Sequence, residues 1–381
     1  MQSHRTATAS RSILTTTKGV FALFSAFFDR SHDFWVQKYG RNLKYVVTLA
    51  HNFENNMKKI LILAVFTLFC TLSFAQESGS TLNMLTLPTS AHVTALGGEN
   101  VSVADNHPAI VLHNPALLSN LDDNLLGLQF MTYADGAQWM GAEFSKAFGS
   151  RHTGAAFAHY MGYGAMDETD AHGNVIGSFS PQDIVAGVGY SYLLSDHWAG
   201  GANFKMGYSQ IAEYSSLAVG VDLGLNYLDV IKDLSVSVVM RNIGAQVKTF
   251  DGVVERVPFN LQAGFTKGLE HLPVQFSVTL TDLIRWKASD YYVPDGEELK
   301  FGRMALNHVV LGLEVKPTHY LYFAGGYNFR RGYELKAAGK GHLAGLSLGG
   351  GLNLHKFKIG LAWARYHYST NALMGNVAYS F

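Results

Sequence analysis

From about residue 124 to the end of the chain, apolar and polar positions alternate with the two-residue period of β-strands. Leu217, Val219, Val221, Leu223, Leu225 and Tyr227 share one parity, while Ala218, Gly220, Asp222, Gly224 and Asn226 share the other. The rhythm returns in Phe259 to Thr266, in Val274 to Thr281 and in Leu346 to Asn353. One face of each segment is apolar and the other is small or polar. About fourteen such segments are expected, each roughly nine to thirteen residues, the length of a strand crossing a bilayer at a tilt. They fall near 124–133, 138–148, 152–162, 182–194, 197–209, 214–228, 233–242, 257–267, 273–284, 305–316, 319–331, 341–354, 356–368 and 372–381.

The connections alternate in length as well. Short ones lie near 150, 195, 231, 268, 317 and 355, and they interleave with the long stretches 163–181, 243–256, 285–304 and 332–340. Tight turns at one end and larger loops at the other describe a transmembrane antiparallel β-barrel of the outer-membrane kind. Tyr133, Trp139, Tyr192, Trp198, Tyr208, Trp363 and Tyr379, near segment ends, are expected in the two interfacial girdles. The chain stops on "LMGNVAYSF", where Leu373, Val377, Tyr379 and Phe381 share the apolar parity. A strand ending on an aromatic ring needs a neighbour, so the last strand is expected to zip to the first.

The region before the strands reads differently. In 76–123 there is no sustained alternation; Ser90 is expected to cap a short helix that Gly97 and Gly98 end, and Asn114 to cap another with Pro115 in its first turn. Upstream, "MKKILILAVFTLFCTLSFAQ" has the charged, apolar and small-residue parts of a secretory signal over 57–75, with cleavage expected after Ala75. Residues 1–56 then precede the expected true start at Met57; the alternative is a cytosolic extension. Cys70, the single cysteine, lies inside the signal, so the exported chain has no thiol chemistry.

Composition sharpens this picture. Charged residues make up 15% of the 381, against roughly a quarter in soluble domains, and the formal net charge is zero. Nothing there invites nucleic acid. Mean hydropathy is only +0.07, which excludes a bundle of membrane helices.

Candidate chemistry is thin. Asp167, Glu168, Asp170 and His172 share a surface loop with Asn174, but their spacing misses that of a calcium loop, and a solvated turn is expected. The glycines of "GLSLGGGLNL" lie in a strand pattern, where they make room for a packed interior and not a phosphate cradle. No metal site, cofactor, nucleophile or acid–base pair stands out, so no enzyme is expected. Arg330, Arg331, Lys336 and Lys340 are expected at the outer rim, as solvated charges or as ligands for lipopolysaccharide phosphates. Trp286, Tyr291 and Tyr292 mark the loop best suited to contact a partner. The inward parity, mostly Gly, Ala, Ser, Asn, Thr and Gln, disfavours a greasy tunnel.

Several of these residues also carry a resemblance. Leu96-Gly97-Gly98, the Val-Ser-Val-Ala-Asp run after Asn100, and Asn114-Pro115-Ala116 resemble the amino-terminal region of PorV/PorQ outer-membrane proteins of the type IX secretion system of Bacteroidetes. The tract from Thr169-Asp170 through Gly173-Asn174 to Gly177-Ser178-Phe179-Ser180 is similar to the PorQ branch. The resemblance implies a fourteen-stranded barrel over 124–381 with residues 76–123 as a hatch in its lumen. It implies a docking platform in the surface attachment complex, which joins secreted cargo to lipopolysaccharide. Its partners would be sortase-like and lipopolysaccharide-delivering proteins and a PorV-like barrel. The family is distantly similar to FadL fatty-acid transporters, which share Asn-Pro-Ala, so transport of hydrophobic solutes is the alternative. Val377, Tyr379 and Phe381 resemble the signal by which the barrel-assembly machinery selects its clients.

Overall fold

Alternation becomes architecture in the computed structural model, which describes residues 81–381 apart from 253, 294–297, 336–342 and 367–369. The stretch 1–56, the signal at 57–75 with Cys70 and Ala75, the start of the 76–123 segment, and Lys336 and Lys340 lie outside the described residues. The strands are β1 (Leu125–Thr132), β2 (Gln138–Phe148), β3 (His152–Gly162), β4 (Met166–Thr169), β5 (Val175–Phe179), β6 (Gln182–Leu193), β7 (Trp198–Ile211) and β8 (Tyr214–Asp229). They continue as β9 (Leu234–Lys248), β10 (Asn260–Gly268), β11 (Val274–Leu280), β12 (Val309–Thr318), β13 (Leu321–Asn328), β14 (Leu346–Leu354), β15 (Phe357–Ala364) and β16 (Ala372–Ser380). All but β4 and β5 form one closed antiparallel barrel of fourteen strands in chain order.

Closure is made by β16 against β1, with Tyr379 opposite Leu126 and Val377 opposite Leu128. The Phe381 N–H then donates to the Asn124 carbonyl at 3.1 Å. No barrel strand is left with an open edge, which in hydrocarbon would cost several kcal/mol for every unpaired backbone group.

Side-chain parity sorts the residues as the period requires. On β1, Leu126, Leu128 and Phe130 are exposed on the outer wall while Leu125, Gln129 and Met131 are buried inside. The outer wall is oily throughout: Phe204, Val238, Leu313, Phe323 and Leu361 all stand exposed, Leu361 at 68%. An apolar exterior around a closed sheet is stable in lipid and costly in water.

The sequence-based boundaries need correction in a few places, each with a local cause. Trp139 is fully buried on the lumen side of β2, edge-on to His159 at 4.8 Å, and Tyr133 packs inward against Tyr366 at 5.8 Å; neither belongs to a lipid girdle. Residues 329–331 belong to a helix, Phe329–Glu334, because the Asn328 side chain accepts the Arg331 N–H at 2.9 Å and caps it. Residues 305–307 likewise end the helix Phe301–Asn307. Strand β9 continues to Lys248 past an irregularity near Asn242, whose backbone is left-handed (φ 59°). The 163–181 loop contains the hairpin of β4 and β5, paired only with each other.

Candidate functional site: the filled lumen and the outer mouth

Residues 81–123 run inside the barrel as short helical turns. A 3-10 turn at Asn83–Thr86 is followed by α1 (Ala91–Ala95) and by 3-10 turns at Pro108–Leu112 and Pro115–Asn120. Each of the last three has a side-chain cap. Ser90 Oγ accepts the Val93 N–H at 3.2 Å, His107 Nδ1 accepts that of Ala109 at 3.2 Å, and Asn114 Oδ1 accepts that of Ala116 at 3.0 Å. Asn114 also donates to the Val101 carbonyl at 2.9 Å, tying two turns together. Gly97 and Gly98, with φ of 100° and 82°, end α1 in a conformation that a Cβ would strain.

This plug bonds to the wall around much of its circumference. The Ala91 N–H donates to Asn376 on β16, the Gly97 N–H to Ser347 on β14, and Asn100 to Ser277 on β11. Ser102 meets Thr266 on β10 at 2.7 Å, Asn203 on β7 donates to the Val111 carbonyl, and Ser191 on β6 donates to that of Ala116. Close approach explains two strand glycines: a Cβ on Gly201 would lie 2.4 Å from the Pro115 carbonyl carbon, and one on Gly326 would lie 2.2 Å from the Gly97 nitrogen.

Ion pairs reinforce the fit. Arg241 on β9 reaches Glu99 at 3.3 Å and the Leu85 carbonyl at 3.0 Å, and Gln262 on β10 donates to the same Glu99 carboxylate at 3.0 Å. Burial holds the Glu99 carboxyl above its ordinary range, although Arg241 pulls it down. His92 lies between Glu314 on β12, at 3.1 Å, and Asp105, at 3.4 Å. Burial alone would lower its pKa, but the two carboxylates prevail and push it up to about 10. His113 is the opposite case: burial, with Arg241 nearby, holds it neutral, and its Nε2 accepts the Thr89 N–H at 3.1 Å. Two further pairs line the wall, Lys205 with Asp222 at 2.8 Å and His159 with Glu143 at 2.6 Å. Between plug and wall, Met84, Leu85, Leu87, Leu112, Val185 and Arg241 border a cavity of only about 10 Å³, room for a single water.

At the mouth that carries the long loops, the sequence candidates separate into distinct groups. Asp170 accepts the backbone N–H groups of His172 and Asn174, at 2.8 and 2.9 Å, and the Asn174 side-chain amide at 2.9 Å. These three residues shape the tip of the β4–β5 hairpin, with Asp167 exposed beside them, and the bonds from Asn174 hold the Asp170 carboxyl below its usual range. Trp286, Tyr291 and Arg330 come together. The Arg330 guanidinium lies 4.9 Å from the Tyr291 ring centre and bonds Asp282 at 2.6 Å and Glu334 at 3.0 Å. Tyr291 is buried against His308, its hydroxyl 2.9 Å from Nε2, and Trp286 stacks on the same imidazole at 4.2 Å. Tyr292 is 62% exposed. Arg331 turns the other way, over Tyr366 at 4.2 Å and onto the Gly97 carbonyl at 3.3 Å, so it latches the plug.

No protein-family model matches the chain, and no curated protein matches it. Solved structures similar to it are outer-membrane-type barrels. They include the Pseudomonas putida toluene transporter TodX (TM-score 0.49, 14% identity, covering 77% of this chain and 98% of that one). A Pseudomonas aeruginosa FadL homologue gives a TM-score of 0.48 at 10% identity, over 77% of this chain and 98% of that one. The CymD monoaromatic hydrocarbon channel gives 0.46 at 14%, over 80% and 99%. Likeness at this level says nothing of what binds to this barrel or passes through it.

The charged contacts between plug and wall are the part that sequence reasoning missed. A signal for them was present: in "VSVVMRNIG" Val236, Val238 and Met240 face out, so Arg241 must face in, and a cation inside a barrel requires an anion opposite. Which anion it finds depends on a plug whose path no periodicity records. At the chain end, Phe381 is 65% exposed, with its ring 5.0 Å from that of Tyr379. Val377 faces outward one turn of the pleat earlier.

Proposed function

We propose that this chain is an outer-membrane barrel that works as a docking platform on the bacterial surface, in the manner of the PorQ-like attachment-complex proteins it resembles. The observation that carries the reading is the filled lumen, in which the plug is hydrogen-bonded or ion-paired to β6, β7, β9, β10, β11, β12, β14 and β16. A wall engaged through eight of its fourteen strands suits an anchor better than a conduit. Trp286 and Tyr292, exposed at 42% and 62% in one outer loop, supply contact surface for sortase-like or lipopolysaccharide-delivering partners. Arg330 is already satisfied by Asp282 and Glu334, which weakens its candidacy as a lipopolysaccharide ligand.

The alternative is a transporter of hydrophobic solutes. It is favoured by the apolar side of the small cavity, where Met84, Leu85, Leu87 and Leu112 of the plug face Val185. A solute would have to displace those side chains. Affinity isolation of the barrel from detergent-solubilised membranes, paired with secretion and fatty-acid uptake assays on a deletion strain, separates the readings. Recovery of surface proteins together with a secretion defect supports the platform. Normal secretion with lost fatty-acid uptake replaces it with transport.

A further inference from the structure

The end of the barrel that holds Asn124 and Phe381 also holds the six short turns: residues 149–151, 194–197, 230–233, 269–273, 319–320 and 355–356. Five of these six contain or adjoin a histidine, namely His152, His197, His271, His319 and His355, and all five are exposed. They sit at the edge of the oily wall. The His152 ring lies 4.9 Å from that of Tyr192, and its Nδ1 is 2.5 Å from the Tyr190 hydroxyl; His197 lies 5.6 Å from Tyr227, which also packs on Trp198 at 5.2 Å. Aromatic rings at that height mark the headgroup layer. The sixth turn instead presents Val230 and Ile231, at 78% and 96% exposure, to the same layer.

Three lysines of this rim are already engaged. Lys232 pairs with Asp229 at 3.0 Å, Lys316 with Glu314 at 3.2 Å and Lys358 with Asp122 at 2.8 Å. The imidazoles of His271, His319 and His355, in contrast, have no partner among the described residues. His271 and His355 also sit at φ of 69° and 29°, turn positions that glycine would fill without strain. Other charges near the rings are Arg151, Asp196, Asp233, Glu270 and Lys356 in the short turns and Lys267 beside the turn of His271, three of each sign. On a rim so balanced, any positive charge added at the imidazoles is uncompensated.

We propose that this histidine ring binds the phosphates of anionic phospholipids in the leaflet around the short turns, gripping them more tightly as the surroundings become acid. A protonated imidazole offers a phosphate two N–H donors, or one in His152 and His197, whose Nδ1 atoms already meet the Tyr190 hydroxyl and the Leu228 carbonyl, and it carries the charge that makes such a hydrogen bond strong. Among side chains, histidine is the one that a mild acid shift ordinarily charges. Five such groups spaced around one rim address a lipid annulus and not a single molecule.

The inference rests on the reading of the outer wall as lipid-facing, and the test separates the two. The full-length barrel is inserted into vesicles of phosphatidylcholine alone or mixed with phosphatidylglycerol. Its thermal unfolding midpoint is then followed by heat-dependent gel mobility at about pH 5.5 and about pH 8. Insertion into neutral vesicles tests the wall. Phosphatidylglycerol is expected to raise the midpoint by about 3 °C or more at the lower pH and by less than about 1 °C at the higher. The shift is expected to vanish when all five histidines become glutamine. If that variant fails to close, H271Q, H319Q and H355Q together are expected to remove over half of the shift. An anionic-lipid shift equal at both pH values, or intact in these variants, overturns the ring while leaving the wall standing.

Discussion

His92 joins the plug to one wall of the barrel through a protonated imidazole held between two carboxylates, and that makes attachment pH-dependent. Its folded pKa is raised from 6.5 to about 10, so its contribution is complete below pH 6.5 and is lost as the pH climbs towards 10. His113 works in the opposite sense. Its pKa is depressed, so its contribution is complete above pH 6.5 and is lost as the pH falls. Protection of residues 81–123 against hydrogen exchange is thus expected to peak near neutrality, and H92Q is expected to flatten only the alkaline limb. Arg241 gives a second test. Arg241→Met leaves Glu99 buried without its cation and is expected to weaken plug seating by about 3 kcal/mol; adding Glu99→Gln recovers most of the loss. Because burial already raises the Glu99 pKa, the single-variant penalty shrinks at acid pH, where the carboxyl takes up a proton. A penalty that is constant with pH would contradict that assignment.

Adjacent residues of one strand can do unrelated work, and β7 shows it. The outward Gly200 would place a Cβ 3.5 Å from Leu194, an ordinary contact, whereas the inward Gly201 would drive one into Pro115 of the plug. Gly200→Ala is expected to be nearly neutral. Gly201→Ala is expected to cost the plug about 1–3 kcal/mol, and Gly201→Val to unseat it while the barrel still closes. Limited proteolysis within 81–123 reads both. The strands themselves were legible in the sequence, because Leu217 to Tyr227 or Val274 to Leu280 can bury or expose a face only with period two. So were the caps at Ser90 and Asn114, whose chemistry is local. What stayed hidden depends on contacts distant in the chain. Tyr291 lies in a loop yet is buried by His308 and Arg330, whereas the inward place of Trp139 was readable from its parity against Met140 and Phe144 and was masked only by its girdle-like size. The hairpin at β4 and β5 rises beyond the barrel, where no lipid imposes a pattern on it.

For the whole molecule, the plug decides whether the barrel is a wall or a pore. Deleting residues 81–121 removes the partners of Arg241, Asn203 and Ser347 but none of the strand ladders, so the shortened barrel is expected to close and to conduct ions in a planar bilayer. The intact chain is expected to stay nearly silent, and equal conductance of the two would contradict a filled lumen. One bond also bears on the timing of assembly. Ala91 donates its N–H to Asn376, 285 positions further along the chain, on the strand that completes the cylinder. A segment made early therefore cannot complete its seating until the last strand arrives. Full seating of the plug thus doubles as a completion check, because a barrel stalled one strand short lacks the acceptor that Ala91 needs.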